Sequence, residues 1–194
     1  MAQITSLCVY CGSSDRGDPR HRDWAAELGR EAARRAIRIV FGGGRVGLMG
    51  VVADAAMAAG GEAIGIIPDI LQAREVGHNG LTRLEVVASM HSRKDRMCAL
   101  ADAFCVLPGG LGTLDETFEI LTWKQLGLHD KPIVLLNQAG YWAPFLALVR
   151  HQVAAGYVRR EHAELFAVAD TVAGVFEAIA AAPEPARPAR PARL

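Results

Sequence analysis

The sequence has no excess charge of either sign and no long apolar run. Its 194 residues carry 21 basic and 21 acidic side chains, whereas proteins that bind nucleic acids or anionic membrane surfaces usually show a basic excess. The longest apolar stretches, such as 103–107 and 133–136, are far too short to span a bilayer. We therefore expect neither a nucleic-acid partner nor an association with membranes.

Cysteine is also scarce, with four in the chain. Residues 1–6 lack the basic start and apolar core of a secretory signal, so we expect a cytoplasmic protein with reduced thiols. Cys8 and Cys11 form a CxxC pair, but Cys98 and Cys105 are not spaced as the second pair of a zinc site. The pair falls at the end of a predicted strand, not at a helix start, where thiolates are activated. This position favours structural thiols, with redox or metal chemistry as the alternative.

Short apolar segments alternate with longer segments of helical period. The predicted strands are 4–10, 37–41, 63–67, 84–87, 103–107, 133–136 and 166–168, and the predicted helices are 20–35, 48–59, 90–101, 113–126, 141–155 and 172–181. Strands without polar alternation indicate a parallel sheet that is buried on both faces. The alternation predicts a single doubly wound, Rossmann-like α/β domain with a mainly parallel sheet over residues 1–182. A repeated Pro-Ala-Arg unit predicts a disordered tail over 183–194, with a basic docking segment as the alternative.

Parallel sheets of this kind bind ligands at the carboxyl ends of their strands. Three loops that follow strands are rich in small or polar residues, namely 11–18, 42–47 and 108–112. Loop 42–47 has the GxGxxG spacing of a dinucleotide fingerprint, with Asp69 further along the chain, although it follows the second strand. Three interpretations stay open: a nicotinamide site, tight strand-to-helix packing, or one wall of a nucleotide pocket. The pocket candidates in these first two loops are Gly12, Ser13, Gly43 and Gly44.

Residues 108–116, with the sequence PGGLGTLDE, leave an apolar strand and enter a predicted helix. Glycines leave backbone N–H groups accessible, and a helix amino terminus carries positive potential, so this loop is typical of a phosphate cradle. It lacks the Gly-Lys-Ser/Thr of a P-loop, so we do not expect triphosphate hydrolysis.

Two charged residues near this loop have two interpretations each. Thr113 and Glu116 have the spacing of a capping box. Glu116 also stands beside the expected anion site, which its negative charge would oppose. The pattern therefore leaves two roles open for Glu116, a helix cap and an active-site carboxylate. Arg93 shares a helix face with Met90 and Met97. A charge among apolar residues needs a partner, which is either a phosphate or the carboxylate of a structural ion pair.

Taken together, these motifs resemble the Lonely Guy family of cytokinin-activating phosphoribohydrolases, whose signature is PGGxGTxxE. Further matches, in order along the chain, are 9–14 (VYCGSS), 42–50 (GGGRVGLMG), 90–94 (MHSRK), 122–127 (TWKQLG) and 129–132 (HDKP). The resemblance covers about residues 4–175. It implies hydrolysis of the N-glycosidic bond of nucleoside 5′-monophosphates to a free base and ribose 5-phosphate, by a homodimer without a redox cofactor.

The resemblance also implies roles for individual residues. Arg93 and Glu116 are the expected catalytic pair. The expected substrate-binding residues are Glu75, Met90, Arg93, Lys94, Gly109, Gly110, Leu111, Gly112, Thr113, Leu114, Asp115 and Thr122. We expect no cofactor and no metal. Trp123 and Trp142 supply either the apolar face of the dimer or part of the core.

Two other classes of function stay open beside the hydrolase. Loop 42–47 is compatible with an NAD-dependent oxidoreductase. Molybdenum-cofactor carriers have a similar fold and glycine-rich phosphate loops, which is compatible with a non-catalytic carrier of a phosphorylated cofactor. The older family label of lysine decarboxylase finds no support, because a pyridoxal enzyme needs a Schiff-base lysine and the chain offers only Lys94, Lys124 and Lys131. The combination of Arg93 with Glu116 favours the hydrolase. The nucleobase that it would release is either a cytokinin-type adenine or plain adenine.

Overall fold

The computed structural model describes residues 4–75 and 77–183, without the side chains of 73–75. The strands are β1 (Ser6–Tyr10), β2 (Arg38–Phe41), β3 (Ala63–Pro68), β4 (Arg83–Val87), β5 (Ala103–Val106), β6 (Ile133–Leu136) and β7 (Ala167–Ala169). The α-helices are α1 (Arg20–Arg34), α2 (Gly47–Ala58), α3 (Asp69–Glu75), α4 (Met90–Leu100), α5 (Leu111–Gln125), α6 (Ala143–Ala154) and α7 (Val172–Ala181).

The strands form one seven-stranded sheet in the order β4-β3-β2-β1-β5-β6-β7, and every neighbouring pair is parallel. The chain builds outward from β1 to β4 and then returns to place β5 on the other side of β1. The loops after β1 and β5 therefore diverge, which opens a crevice at the carboxyl ends of these two strands. The predicted doubly wound α/β fold is confirmed.

Helices cover both faces of the sheet and give the core two halves. One half packs α1, α2 and α7 against the sheet through residues such as Trp24, Leu28 and Phe176. The other packs α4, α5 and α6 through Met97, Ile120 and their neighbours. Trp142 is buried in this second half, so the core interpretation of this tryptophan is correct.

The predicted strands and helices agree with the structure to within two residues at each end. Between β3 and β4 lie α3 and a turn that leads to β4. From residue 184 onward, the predicted tail lies outside the described residues. Among the described residues, no helix combines the length and the apolar character that crossing a membrane would require.

The CxxC cysteines are structural. Cys8 packs on one face of the sheet and Cys11 on the other. Burial raises the pKa of both thiols, so they stay protonated and are poor nucleophiles or metal ligands.

Candidate active site

A cavity of about 610 Å³ lies at the carboxyl ends of the strands, beside the point where β1 and β5 diverge. Its walls come from residues 12–18 after β1, Gly42 after β2 and residues 108–113 after β5, together with side chains of α4 and α5. The volume is that of an ordinary small-molecule site. The topology thus brings all three loops singled out in the sequence to one cavity.

Helix α5 points its amino terminus at this cavity. It begins at Leu111 with Gly110 as its N-cap, and no side chain caps it. Thr113 therefore lies inside the helix, two residues later than its start, and the capping-box interpretation of Thr113 and Glu116 is wrong. The first N–H groups of α5 have no partner within the helix and carry the positive end of its dipole, which is a favourable site for an anion.

The glycines of the loop differ in what surrounds them. A Cβ on Gly109 would collide with the side chain of Thr113, so the fold itself needs glycine there. A Cβ on Gly110 or Gly112 would meet no atom within 4 Å. Packing does not account for these two glycines, whereas bare backbone at a cavity wall suits close approach by a phosphate.

Glu116 lies in the second turn of α5, at the inner end of the cavity, with 8% of its surface exposed. Burial raises the pKa of its carboxyl to about 7, although nearby Arg93 counteracts part of this effect. A carboxyl that titrates near neutral pH is suited to proton transfer and to charge stabilisation.

Arg93 on α4 faces Glu116 across the cavity floor. Its guanidinium donates from Nε to the carbonyl of Ile66 (3.2 Å) and from Nη2 to the carbonyl of Gly42 (3.2 Å), while Nη1 lies 3.8 Å from Glu116 Oε1. Glu116 is therefore the carboxylate that lies nearest to this guanidinium edge, while a phosphate partner for Arg93 stays open. Because 3.8 Å is longer than a hydrogen bond, the facing edges of the pair retain bonding capacity toward a ligand.

The first glycine of loop 42–47 leaves the space that the side chain of Arg93 occupies. A Cβ on Gly42 would collide with the guanidinium of Arg93, so a larger residue would displace it. Gly43 has a φ of +77°, and Gly44 pairs with Gly77 in an isolated β-bridge. Gly42 lines the cavity, whereas Gly43 and Gly44 do not. Packing and cavity wall are thus the interpretations that the geometry favours.

Lys94 is buried and does not itself line the cavity. Its Nζ lies 3.1 Å from Asp115 Oδ2 and 3.0 Å from Glu119 Oε1. Burial lowers the pKa of Lys94, but the hydrogen bonds to Glu119 and Asp115 outweigh it, so the pKa is raised overall. Lys94 therefore ties α4 to α5 and neutralises two carboxylates that would otherwise oppose an anion at the start of α5.

The cavity brings together many of the predicted site residues but not all of them. Those that line it are Gly12, Ser13, Met90, Arg93, Gly109, Gly110, Leu111, Gly112, Thr113, Asp115 and Glu116. Those that do not are Gly43, Gly44, Lys94, Leu114 and Thr122. The hydroxyl of Thr122 donates to the carbonyl of Phe118 one turn earlier (2.7 Å). The side chain of Glu75 lies outside the described residues.

Sequence reasoning missed several lining residues. His21 and Tyr141 form an aromatic wall, with ring centroids 5.1 Å apart, and Leu48, Met49 and Leu71 add apolar surface. The signal for His21 and Tyr141 was available, since each follows the carboxyl end of a strand, β1 and β6 respectively, where this fold binds ligands.

The three lysines lie apart from the cavity. Lys124 Nζ donates to the carbonyl of Lys131 (2.9 Å), Lys131 Nζ donates to the carbonyl of Cys98 (2.7 Å), and Lys94 is held as described above. The site therefore offers no amine for a Schiff base with a pyridoxal cofactor. Among the side chains that the structure describes, those of residues 4–72 and 77–183, no three of His, Cys, Asp or Glu come together in a group that could hold a metal ion.

A family model and sequence relatives agree on one family. A family model described as "Possible lysine decarboxylase" matches residues 49–179. A cytokinin riboside 5′-monophosphate phosphoribohydrolase of Rhodococcoides fascians is 43% identical over 175 residues, which cover 90% of this chain and 88% of the relative. The phosphoribohydrolase LOG of Oryza sativa subsp. japonica is 43% identical over 170 residues, covering 88% and 70% respectively.

Among solved structures, the molybdenum cofactor carrier protein of Chlamydomonas reinhardtii superposes with a TM-score of 0.69 over 90% of this chain and 95% of the carrier. At 22% identity, this likeness shows a shared fold alone. The sequence relatives are far more similar, and no lysine side chain lines the cavity, although a pyridoxal-dependent decarboxylase would need one. The chain belongs to the family covered by this model, together with the Lonely Guy phosphoribohydrolases.

Proposed function

We propose that the protein hydrolyses the N-glycosidic bond of adenine-type nucleoside 5′-monophosphates, either AMP or N6-modified cytokinin precursors, to a free base and ribose 5-phosphate. The observation that carries this proposal is the buried pair of Arg93 and Glu116 at the inner end of a cavity whose rim is a phosphate-type loop. Relatives named as cytokinin riboside 5′-monophosphate phosphoribohydrolases support it.

The 5′-phosphate binds at the amino terminus of α5. The N–H groups of Leu111, Gly112 and Thr113 precede the first hydrogen-bonded turn of this helix, and Lys94 balances the nearby carboxylates. Phosphate binding at this rim fixes the ribose over the inner end of the cavity. Binding energy remote from the reacting bond is thereby used to position that bond.

Glu116 acts on the reacting carbon. When the bond between ribose C1′ and the base nitrogen breaks, the bond electrons leave with the base and the sugar develops oxocarbenium-like positive charge. The Glu116 carboxylate stabilises this charge and orients a water molecule, whose oxygen bonds to C1′. One proton of that water passes to the Glu116 carboxylate, and the departing base takes up one proton from solvent, so the products are the neutral base and ribose 5-phosphate.

Arg93 keeps Glu116 in its working state. Because the arginine lowers the pKa of the carboxyl against the effect of burial, it increases the fraction of Glu116 that is ionised at neutral pH. Its two bonds to backbone carbonyls hold the guanidinium in place.

We further propose a cytoplasmic homodimer. The four cysteines are unpaired, as expected in a reducing compartment. Half-buried Trp123 and the exposed side chains of Phe118, Leu126 and Leu128 give α5 and its carboxyl end an apolar surface that a second copy would cover.

Incubation with AMP and with an N6-prenylated AMP tests the reaction itself. We expect a free base and ribose 5-phosphate in equal amounts, separated by chromatography. The ratio of the two turnover rates identifies the preferred base. Saturable binding of both nucleotides without release of a base would contradict the hydrolase and favour a carrier.

A further inference from the structure

Tyr141 makes one contact that the catalytic proposal does not use. Its hydroxyl donates a hydrogen bond of 2.7 Å to the carbonyl of Gly109, in the middle of the phosphate loop. The ring lies on the cavity wall between His21 and Trp142, with centroid distances of 5.1 and 4.9 Å. This side chain therefore connects the segment after β6 to the loop after β5.

The turn that presents Tyr141 is unusual and firmly held. Ala139 and Gly140 have φ values of +56° and +75°, and a positive φ is uncommon for alanine. The Asn137 side chain accepts a 2.7 Å hydrogen bond from the N–H of Trp142, whose ring is buried beneath. A conformation of this kind persists only where the surroundings enforce it, so Tyr141 is presented on a rigid support.

The loop that Tyr141 contacts has three consecutive carbonyls, each with its own donor. The carbonyl of Pro108 accepts from the N–H of Gly12 (3.0 Å), that of Gly109 from Tyr141, and that of Gly110 from the N–H of Leu114 (3.0 Å). Within the described part of the chain, the Gly109 carbonyl is thus the one member of this run that a side chain holds.

This bond fixes the orientation of a peptide plane. In a planar trans peptide, the carbonyl of one residue and the N–H of the next point in opposite directions. Tyr141 therefore determines where the N–H of Gly110 points. A peptide between two glycines has the fewest steric limits on its rotation, so without this bond the plane can flip and turn the negative carbonyl toward a bound anion.

We propose that Tyr141 is a positioning residue, which locks the Gly109–Gly110 peptide so that the loop presents N–H groups rather than a carbonyl to the phosphate. This inference deepens the proposed function, because it assigns the geometry of the phosphate site to a hydroxyl outside the loop. It concerns anion binding and not the chemical step.

Tyr141→Phe tests the proposal, since it removes the hydroxyl and keeps the ring. The matched control is Tyr157→Phe, at a tyrosine that is 91% exposed and away from the cavity. Binding of inorganic phosphate and of adenine to each variant is measured by calorimetry, alongside the melting temperature. We expect Tyr141→Phe to weaken phosphate binding roughly tenfold, the scale of one lost hydrogen bond near a charge, with adenine binding and melting temperature close to those of the wild type.

In turnover, the same change should raise KM for the nucleotide by a similar factor and leave kcat nearly unchanged. Phosphate binding of Tyr141→Phe equal to that of Tyr157→Phe would overturn the proposal, and so would a parallel loss of phosphate and adenine binding, which indicates a general structural role. Because phosphate binding is measured without turnover, this result stays separate from a failure of the hydrolase assignment.

Discussion

Replacing Glu116 by glutamine separates charge from shape at the centre of the site. The substitution preserves the size of the side chain but removes the negative charge that the mechanism needs at the ribose. We expect turnover of AMP to fall by about 100-fold or more, the scale for loss of a positioned catalytic group, which corresponds to about 2.7 kcal/mol of transition-state stabilisation. KM should hold or fall, since a carboxylate near the phosphate loop repels the substrate.

A matched control lies one turn further along α5. Glu119 is also a carboxylate beside Lys94 (3.0 Å), but it does not line the cavity. Glu119→Gln should therefore keep turnover close to that of the wild type. Steady-state kinetics on both variants measures the contrast. Near-normal turnover by Glu116→Gln would show that this carboxylate is structural and that the mechanism is wrong.

The same variant gives a prediction for stability. In the folded protein burial raises the pKa of Glu116 to about 7 from its usual 4.5, so between these two pH values the folded state keeps a proton that the unfolded state releases. The contribution of this group to the free energy of unfolding is therefore fully present below pH 4.5 and is lost as the pH rises through 7, a total of about 3 kcal/mol. Glutamine does not titrate. In urea denaturation, the free energy of unfolding of Glu116→Gln should increase relative to that of the wild type by this amount between pH 4.5 and 8. A difference between the two proteins that does not change with pH would contradict the raised pKa.

Two further predictions concern the contacts of Arg93, and a third concerns the oligomeric state. Because Arg93 lowers the pKa of Glu116, the pH profile of the residual turnover of Arg93→Met should have its midpoint at a higher pH than that of the wild type. An unchanged midpoint would contradict the electrostatic coupling between Arg93 and Glu116. Gly42→Ala places a Cβ against the Arg93 guanidinium, so we expect a loss of about 1–3 kcal/mol in the free energy of unfolding and a fall in turnover. Wild-type values in denaturation and kinetic assays would show that the guanidinium can move aside without cost. Light scattering should give twice the 20.7 kDa mass of one chain, and a monomer mass would refute the homodimer.

Much of the fold could be predicted from the sequence because it depends on local patterns. The uniformly apolar β5 and β6, buried along their whole length, indicate a parallel sheet before any tertiary contact is known. The Ser89 side chain caps α4 by accepting the Ser92 N–H (3.0 Å), as its position before a helical segment suggests. The start of α5 was less predictable, since Leu111 and Gly112 resemble loop residues although they form its first turn.

The site was harder to predict because its residues meet only through tertiary structure. Arg93 was identified from its position in an apolar face, yet its bonds to Ile66 and Gly42 join segments that lie far apart in the sequence. Lys94 is adjacent in sequence, but it does not line the cavity, and its Nζ pairs instead with the carboxylates of Asp115 and Glu119. Tyr141 follows the carboxyl end of β6, which makes it a candidate, but its orientation depends on a positive φ at Ala139 that the local sequence does not indicate.

The most direct test of the central claim compares AMP with adenosine as substrates. The two share the base and the scissile bond and differ only in the 5′-phosphate, which the account assigns to the amino terminus of α5. We predict that kcat/KM for AMP exceeds that for adenosine by a factor of at least about 100, because an anchoring phosphate contributes binding energy to the transition state. Equal kcat/KM values for the two substrates would contradict the claim that this loop binds the phosphate and positions the nucleotide for hydrolysis.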